Sequence, residues 1–382
     1  MIALRVIRTG VVVAACAATA LSMAACGSKA KSGGSSTSAG GTSATSSASA
    51  PATTSSSAAA GGALNACMVL DTGGVDDKSF NQSSYAGLQA AAQANPKIKI
   101  SYVPSNSGND YTPNLTAETQ KGCQAIVAVG GLMFDNVTKV AKANPKSHYA
   151  EVDAGSSGPN VYGLQFNTAQ GAFLGGYLAA GMTKTGSVAT WGGLNIPPVT
   201  IYMDGFWEGV QYYNAQNKKK VQVLGWDEKS PKKGTFSQSF TDQNKGKQIS
   251  QTFIQQGADI IFPVAGGAGV GAATAAQASG GKANAIWVDT DGCVSVAQYC
   301  KYFLTSVTKN LADSVQKYVE AAATGTFPTG SYIGNLSNNG TGLAPFHDFD
   351  AKVPASLKSQ LDTVKQDIIS GKIKITSPSQ PK

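Results

Sequence analysis

From Ala66 onward, short apolar runs alternate with helix-length segments, and this alternation restricts the chain to an architecture of repeated βα units. Strand-like runs fall at 66–70, 98–103, 125–129, 149–152, 161–166, 187–191, 221–225, 260–264, 285–289 and 303–307. Helical stretches between them include 83–94, 134–143, 168–182, 199–215, 245–256, 270–278 and 311–323. Strands joined through helices are parallel, and a parallel sheet needs helices on both faces to stay dry. The 320 residues from Ala63 to Lys382 exceed the roughly 250–300 that one core usually serves. The expected fold is therefore α/β, with two doubly wound parallel-sheet lobes.

What precedes the folded part bears on where it works. Arg5 and Arg8 are followed by an apolar run from Val11 to Leu21 and the small-residue end Leu21-Ser22-Met23-Ala24-Ala25-Cys26. That is the layout of an export signal, too short for a membrane span. The residues before Cys26 resemble the lipobox of bacterial lipoproteins, which implies cleavage after residue 25 and lipidation of Cys26. Residues 27–62 are Gly, Ser, Ala and Thr apart from Lys29, Lys31 and Pro51, a composition without enough apolar surface to fold. As a flexible tether it would span about 30 Å on average and about 120 Å at full stretch. The expected location is the extracytoplasmic face of the cell membrane, held by lipid.

The formal net charge of +8 includes both arginines, the only two in the chain; the remaining 28 lysines against 22 acids leave +6 after signal removal. Lys218-Lys219-Lys220 is the only triple. With no mature arginine and no interleaved basic and aromatic surface, nucleic acid is not an expected partner. Cys67, Cys123, Cys293 and Cys300 remain after the signal and Cys26 are set aside, and an even exported set favours disulfides. Four cysteines allow three connectivities. The pairing Cys67–Cys123 is favoured because these residues open the first and third strands, which are neighbours in many doubly wound sheets, leaving Cys293–Cys300 to close a short loop. No metal site is expected, because no Cys-x-x-Cys occurs and His148 and His347 lie apart from the cysteines in sequence.

Directly after Met68-Val69-Leu70 comes Asp71-Thr-Gly-Gly-Val-Asp-Asp-Lys-Ser-Phe80-Asn81-Gln82. A strand ending in a carboxylate and a Gly pair, then an aromatic and an amide opening a helix, is how an open α/β sheet builds a crevice at its strand ends. Further segments are Val127-Ala-Val-Gly-Gly-Leu-Met-Phe134, Gly205-Phe-Trp-Glu-Gly209, Gly257-Ala-Asp-Ile-Ile-Phe-Pro-Val-Ala-Gly-Gly267, Trp287-Val-Asp-Thr-Asp291 and Leu304-Thr-Ser-Val-Thr-Lys309. In this order they resemble the basic membrane protein family over nearly all of residues 66–319. The family's lipoproteins serve ABC importers, have the type I periplasmic-binding-protein fold, and include purine nucleoside receptors.

The resemblance implies a ligand cleft between the lobes and a base held there between aromatic rings of the two, with carboxylates and a lysine on the ribose. The matching ligand-binding residues are Asp71, Phe80, Asn81, Asp153, Phe206, Gly266, Asp289 and Lys309. It also implies a monomer that passes adenosine, guanosine or inosine to an ABC permease, with no cofactor. Leu132-Met133 departs from the family's usual small residue or Phe, so the wall near the base differs. Expected lobe boundaries are 63–166 with 292–326, and 167–291 with 327–382. The run Ala265–Gly271 lacks the Gly-Lys-Ser/Thr ending of a phosphate loop and is read as close backbone approach to a ligand before a helix. No residue is expected to be catalytic: no Gly-x-Ser-x-Gly elbow or His-Glu-x-x-His helix occurs. Two other ligand readings remain: a receptor for a sugar or other small polar metabolite, and, in a different class, a nucleoside-cleaving hydrolase using two cleft aspartates.

Overall fold

The computed structural model describes residues 63–381. The expected signal, Cys26 and the tether lie outside the described residues. Two six-stranded sheets form two lobes. The first lobe begins β1 (Leu64–Leu70), α1 (Phe80–Ala94), β2 (Ile98–Pro104), α2 (Tyr111–Gln120), β3 (Ala125–Val129), α3 (Phe134–Ala143), β4 (His148–Val152) and β5 (Val161–Phe166). The chain then crosses into α4 (Thr168–Met182), β6 (Ser187–Gly192), α5 (Pro197–Asn217), β7 (Gln222–Leu224), α6 (Gln243–Gln255), β8 (Ile260–Val264), α7 (Val270–Ala278), β9 (Asn284–Asp289), the single turn α8 (Gly292–Ser295) and β10 (Phe303–Lys309). It closes with α9 (Leu311–Ala323), β11 (Ser331–Gly334), β12 (Thr341–Leu343) and α10 (Ala355–Ile369).

The strand orders are β2-β1-β3-β4-β5-β11 and β7-β6-β8-β9-β10-β12. All pairings are parallel except β12 on β10. The same doubly wound order appears twice, so each lobe has a switch point, between β1 and β3 and between β6 and β8, where crevices open beyond the carboxyl ends of the strands.

Period-2 alternation explains the packing of the first sheet. Ala66, Met68 and Leu70 of β1 join Leu88 of α1 and Leu311 and Val315 of α9 on one face; Cys67 and Val69 join Tyr111, Leu115 and Val137 on the other. Both faces are dry, so β1 and β3 read as continuous apolar runs. Burying a side chain of this size contributes about 1.5–3 kcal/mol.

Two expected lobe assignments are corrected. Residues 292–309 belong to the second lobe, because β10 hydrogen-bonds to β9 through Ser306↔Trp287 and Val307↔Val288. Strand β11 belongs to the first lobe, paired with β5, while α9 packs on α1. The chain thus crosses between lobes after Phe166, after Lys309 and between β11 and β12. These crossings are tied together by Asn167 N–H to Gly334 O (2.7 Å) and Asn310 N–H to Gly340 O (2.9 Å).

Cys67 is joined to Cys123 and Cys293 to Cys300, the pairing expected from strand adjacency. The exposed Lys218-Lys219-Lys220 lies between α5 and β7, with Lys218 in the left-handed region (φ 52°). Among the described residues no helix is long and apolar enough to cross a membrane.

Glu151 of β4 has no exposed surface, and neither carboxylate oxygen has a hydrogen-bond partner. Burial, aided by the charge of Asp135, pushes its pKa from 4.5 to about 8. A carboxyl raised in the folded state binds a proton that the unfolded state has lost, so its contribution is present below pH 4.5 and disappears as pH rises to about 8. Glu151→Met is expected to raise the melting temperature at pH 8, with little change at pH 4.5, as read by thermal unfolding at both pH values.

Candidate functional site

The cleft between the lobes is lined from the first by Asp71, Thr72, Asp77, Phe80, Asn81, Gly130, Gly131, Leu132 and Asp153. The second contributes Ile196, Pro198, Val199, Tyr202, Phe240, Val264, Ala265, Gly266, Val288, Asp289 and Lys309. Most of these residues follow the carboxyl ends of β1, β3, β4, β6, β8, β9 and β10, where the topology leaves crevices.

Asp71 ends β1 and accepts hydrogen bonds from Thr72 N–H (2.6 Å) and the Tyr111 hydroxyl. Burial raises its pKa, and these two donors oppose the shift. Gly130 has φ 122° and faces Asp71 so closely that a Cβ would collide with its carboxylate. Asp77 receives Ser79 N–H (3.0 Å), Asn81 N–H (2.8 Å) and Gln82 N–H (3.1 Å). It thereby satisfies free amides at the start of α1 and holds Phe80 and Asn81 at the cleft. Burial raises its pKa to about 6. The Asn81 amide donates to Asp71 O and Thr72 O, both at 3.4 Å, while its buried Oδ1 has no protein partner.

Asp153 and Asp289 end β4 and β9, in equivalent positions of the two lobes, and both adopt left-handed backbone conformations, φ 66° and 65°. For a non-glycine residue this costs on the order of 1–3 kcal/mol and is concentrated at functional sites. Lys309 ends β10 and donates to both oxygens of Asp153, at 2.7 and 2.9 Å, with Asp289 at 3.8 Å. Its ammonium also lies 4.7 Å from the centre of the Phe80 ring and 5.6 Å from that of Tyr202. Burial raises the Asp153 pKa and Lys309 opposes that shift. Asp289 further accepts from Ser79 Oγ (2.8 Å) and the Tyr202 hydroxyl (2.6 Å). The Lys309–Asp153 and Ser79–Asp289 contacts each join the two lobes.

Seven of the eight expected ligand residues, Asp71, Phe80, Asn81, Asp153, Gly266, Asp289 and Lys309, meet at this cavity. Phe206 does not. It is fully buried, with its ring centre 5.4 Å from that of Phe262. Its motif has a packing cause: a Cβ on Gly205 or Gly209 would strike the backbone of Ala169 or Phe173, so these glycines let α5 lie directly on α4. Phe206→Ala is expected to destabilise the protein by about 3–5 kcal/mol, while ligand affinity measured well below the melting temperature stays unchanged.

The second lobe's aromatic lining comes instead from Tyr202, one turn earlier on α5, and Phe240. The Ala268 N–H donates to Phe240 O (2.9 Å), so the glycine-rich run holds this residue in place while Gly266 (φ 50°) lines the cavity. A sequence signal for Phe240 existed. Ser239-Phe240-Thr241-Asp242 precedes α6, and Asp242 caps that helix by accepting Lys245 N–H at 2.9 Å.

Two parallel-sheet lobes connected by three crossings, with convergent polar groups between them, define a solute-binding protein of the periplasmic-binding type. A solved structure, of an ABC transporter system solute-binding protein from Aeropyrum pernix K1, is similar with a TM-score of 0.74 and 25% identity, covering 82% of this chain and 94% of that one. The chain belongs to the Bmp family, described as ABC transporter substrate-binding protein PnrA-like, whose family model matches residues 64–378. Relatives include the ABC transporter nucleoside-binding protein BmpA of Lactococcus lactis subsp. cremoris, 30% identical over 82% of this chain and 89% of that protein. The CD4+ T-cell-stimulating antigen of Listeria monocytogenes is 31% identical over 82% and 88%.

Proposed function

We propose that this ABC transporter substrate-binding protein captures purine nucleosides and delivers them to its permease as a lipid-anchored monomer on the extracytoplasmic face. The carrying observation is the meeting of Phe80 and Phe240, one from each lobe, with Asp71, Asp153, Asp289 and Lys309 in one cavity. A flat base stacks on aromatic faces, while vicinal ribose hydroxyls donate to carboxylates and accept from an ammonium. The name of the Lactococcus relative supports the same ligand class.

Mass spectrometry of small molecules released from the purified protein tests this reading, with a purine nucleoside expected and a free sugar against it. Incubation with inosine is expected to leave it intact; release of hypoxanthine would support the hydrolase reading instead. For the anchor, Cys26→Ser is expected to move the protein from the detergent phase to the aqueous phase, or to leave an uncleaved precursor. Unchanged detergent partitioning of a processed protein would argue against lipidation.

A further inference from the structure

His347, far from the cysteines in sequence, is brought against the Cys293–Cys300 loop by the fold. Its Nε2 lies 2.7 Å from Asp291 Oδ2, and the donor atoms of Asp291, Cys293 and His347 all lie within 4.8 Å of one another. Cys300 is bonded to Cys293, so its sulfur is adjacent to the same point. One sulfur, an imidazole and a carboxylate therefore converge at one surface site, where the His347 and Asp291 side chains remain 32% and 22% exposed, and the second sulfur is one bond away. A tetrahedral zinc ion, with bonds of about 2.0 Å to nitrogen or oxygen and about 2.3 Å to sulfur, spaces its ligands about 3.3–3.8 Å apart. Asp291, Cys293 and His347 are already near that spacing, and the Cys300 sulfur must turn toward them once the S–S bond opens.

We propose that Asp291, Cys293, Cys300 and His347 form a zinc site that becomes available when the Cys293–Cys300 disulfide is reduced. The reductant is a dithiol. It supplies two electrons and two protons, the S–S bond becomes two thiols, and the dithiol closes to its own disulfide. Zn²⁺ then binds the two sulfurs as thiolates, and the two thiol protons pass to solvent. Cys67, Glu118 and Cys123 form a comparable donor group, but all three are buried and no imidazole is among them. The exposed loop is the accessible one. Asp291 lies two residues after the cleft residue Asp289, and Thr290 between them donates to Lys78 O of the opposite lobe at 3.2 Å.

The test uses the purified full-length protein, before and after treatment with a water-soluble phosphine that is then removed, titrated anaerobically with Co²⁺ and next with Zn²⁺. The reduced protein is expected to bind one Co²⁺ per chain with thiolate charge-transfer and tetrahedral d–d absorption, both lost when Zn²⁺ displaces it; the oxidised protein shows neither. His347→Ala and Asp291→Asn should weaken binding at least tenfold and alter the d–d bands, and Cys293→Ser with Cys300→Ser should abolish the charge-transfer band. An unchanged spectrum in the double cysteine variant would place the ion at Cys67 and Cys123 and overturn the proposal. Equal affinity in the His347→Ala variant, whose substitution is at the surface, would overturn it independently of any folding defect in the cysteine variant.

Discussion

Lys309→Met is expected to lower nucleoside affinity by at least a hundredfold. Lys309 is 4% exposed and lies between Asp153 of the first lobe and Asp289 of the second. Removing one partner of such a buried pair typically costs about 3–5 kcal/mol, because the other charge is left uncompensated. The ion pair spans the lobes, so that cost falls on the lobe-to-lobe contact at the proposed binding site. About 2.7 kcal/mol already corresponds to a hundredfold change in affinity. The variant should also bind better as pH falls, since protonation of Asp153 removes the uncompensated charge. Adding Asp153→Asn to Lys309→Met should recover part of the loss, because the two residues are directly coupled. Calorimetric titration of the single and double variants, with thermal unfolding of each without ligand, checks this. Unchanged affinity in Lys309→Met would show that the pair has no part in ligand capture.

Phe80→Ala and Phe240→Ala are each expected to weaken purine nucleoside binding by about 5- to 150-fold, the equivalent of about 1–3 kcal/mol of base stacking. Neither ring belongs to the fully buried core; both are partly buried at the cleft. Melting temperatures without ligand should therefore fall far less than in Phe206→Ala. This contrast separates cleft aromatics from core aromatics in one set of measurements. A large fall in stability with preserved affinity for Phe80→Ala or Phe240→Ala would assign those rings to the core.

The strands were readable where they are dry on both faces. Residues 125–129, 161–166 and 260–264 match β3, β5 and β8 residue for residue, because each is a short, largely apolar run bounded by turn residues. Helices α3, α4, α7 and α9 also match at both ends. Elements absent from the sequence reading carry weaker signals. Helix α2 contains Pro113 in its first turn and buries only Tyr111, Leu115 and Glu118. Helix α10 is polar apart from one stripe, Leu357, Leu361, Val364 and Ile368. Strands β11 and β12 are short sheet edges with mixed exposure.

The site was legible where a residue's place follows from its strand. Asp71, Asp153 and Asp289 all end strand-like runs, and carboxyl ends are where a doubly wound sheet opens; Lys309 lies two residues past the run at 303–307, and β10 extends to it. Phe206 lies inside a helix, where sequence alone leaves its facing ambiguous between cleft and core. Tyr202, four residues earlier and about 6 Å along the axis, occupies the cleft position. Phe240 lies in the long connection between β7 and α6, which has little periodicity to place it. Lobe membership was misread at 292–309 because β10 joins its sheet through pairing, and pairing is a long-range property that a single run does not display.

The central claim is that the cleft is built for a purine nucleoside. Isothermal titration calorimetry of the purified protein with adenosine, guanosine and inosine, against ribose and glucose, tests it most directly. At least one nucleoside is expected to bind with a Kd between nanomolar and micromolar, about −12 to −8 kcal/mol, and the free sugars much more weakly. No heat with any of the three nucleosides, together with clear binding of a hexose or pentose, would contradict it.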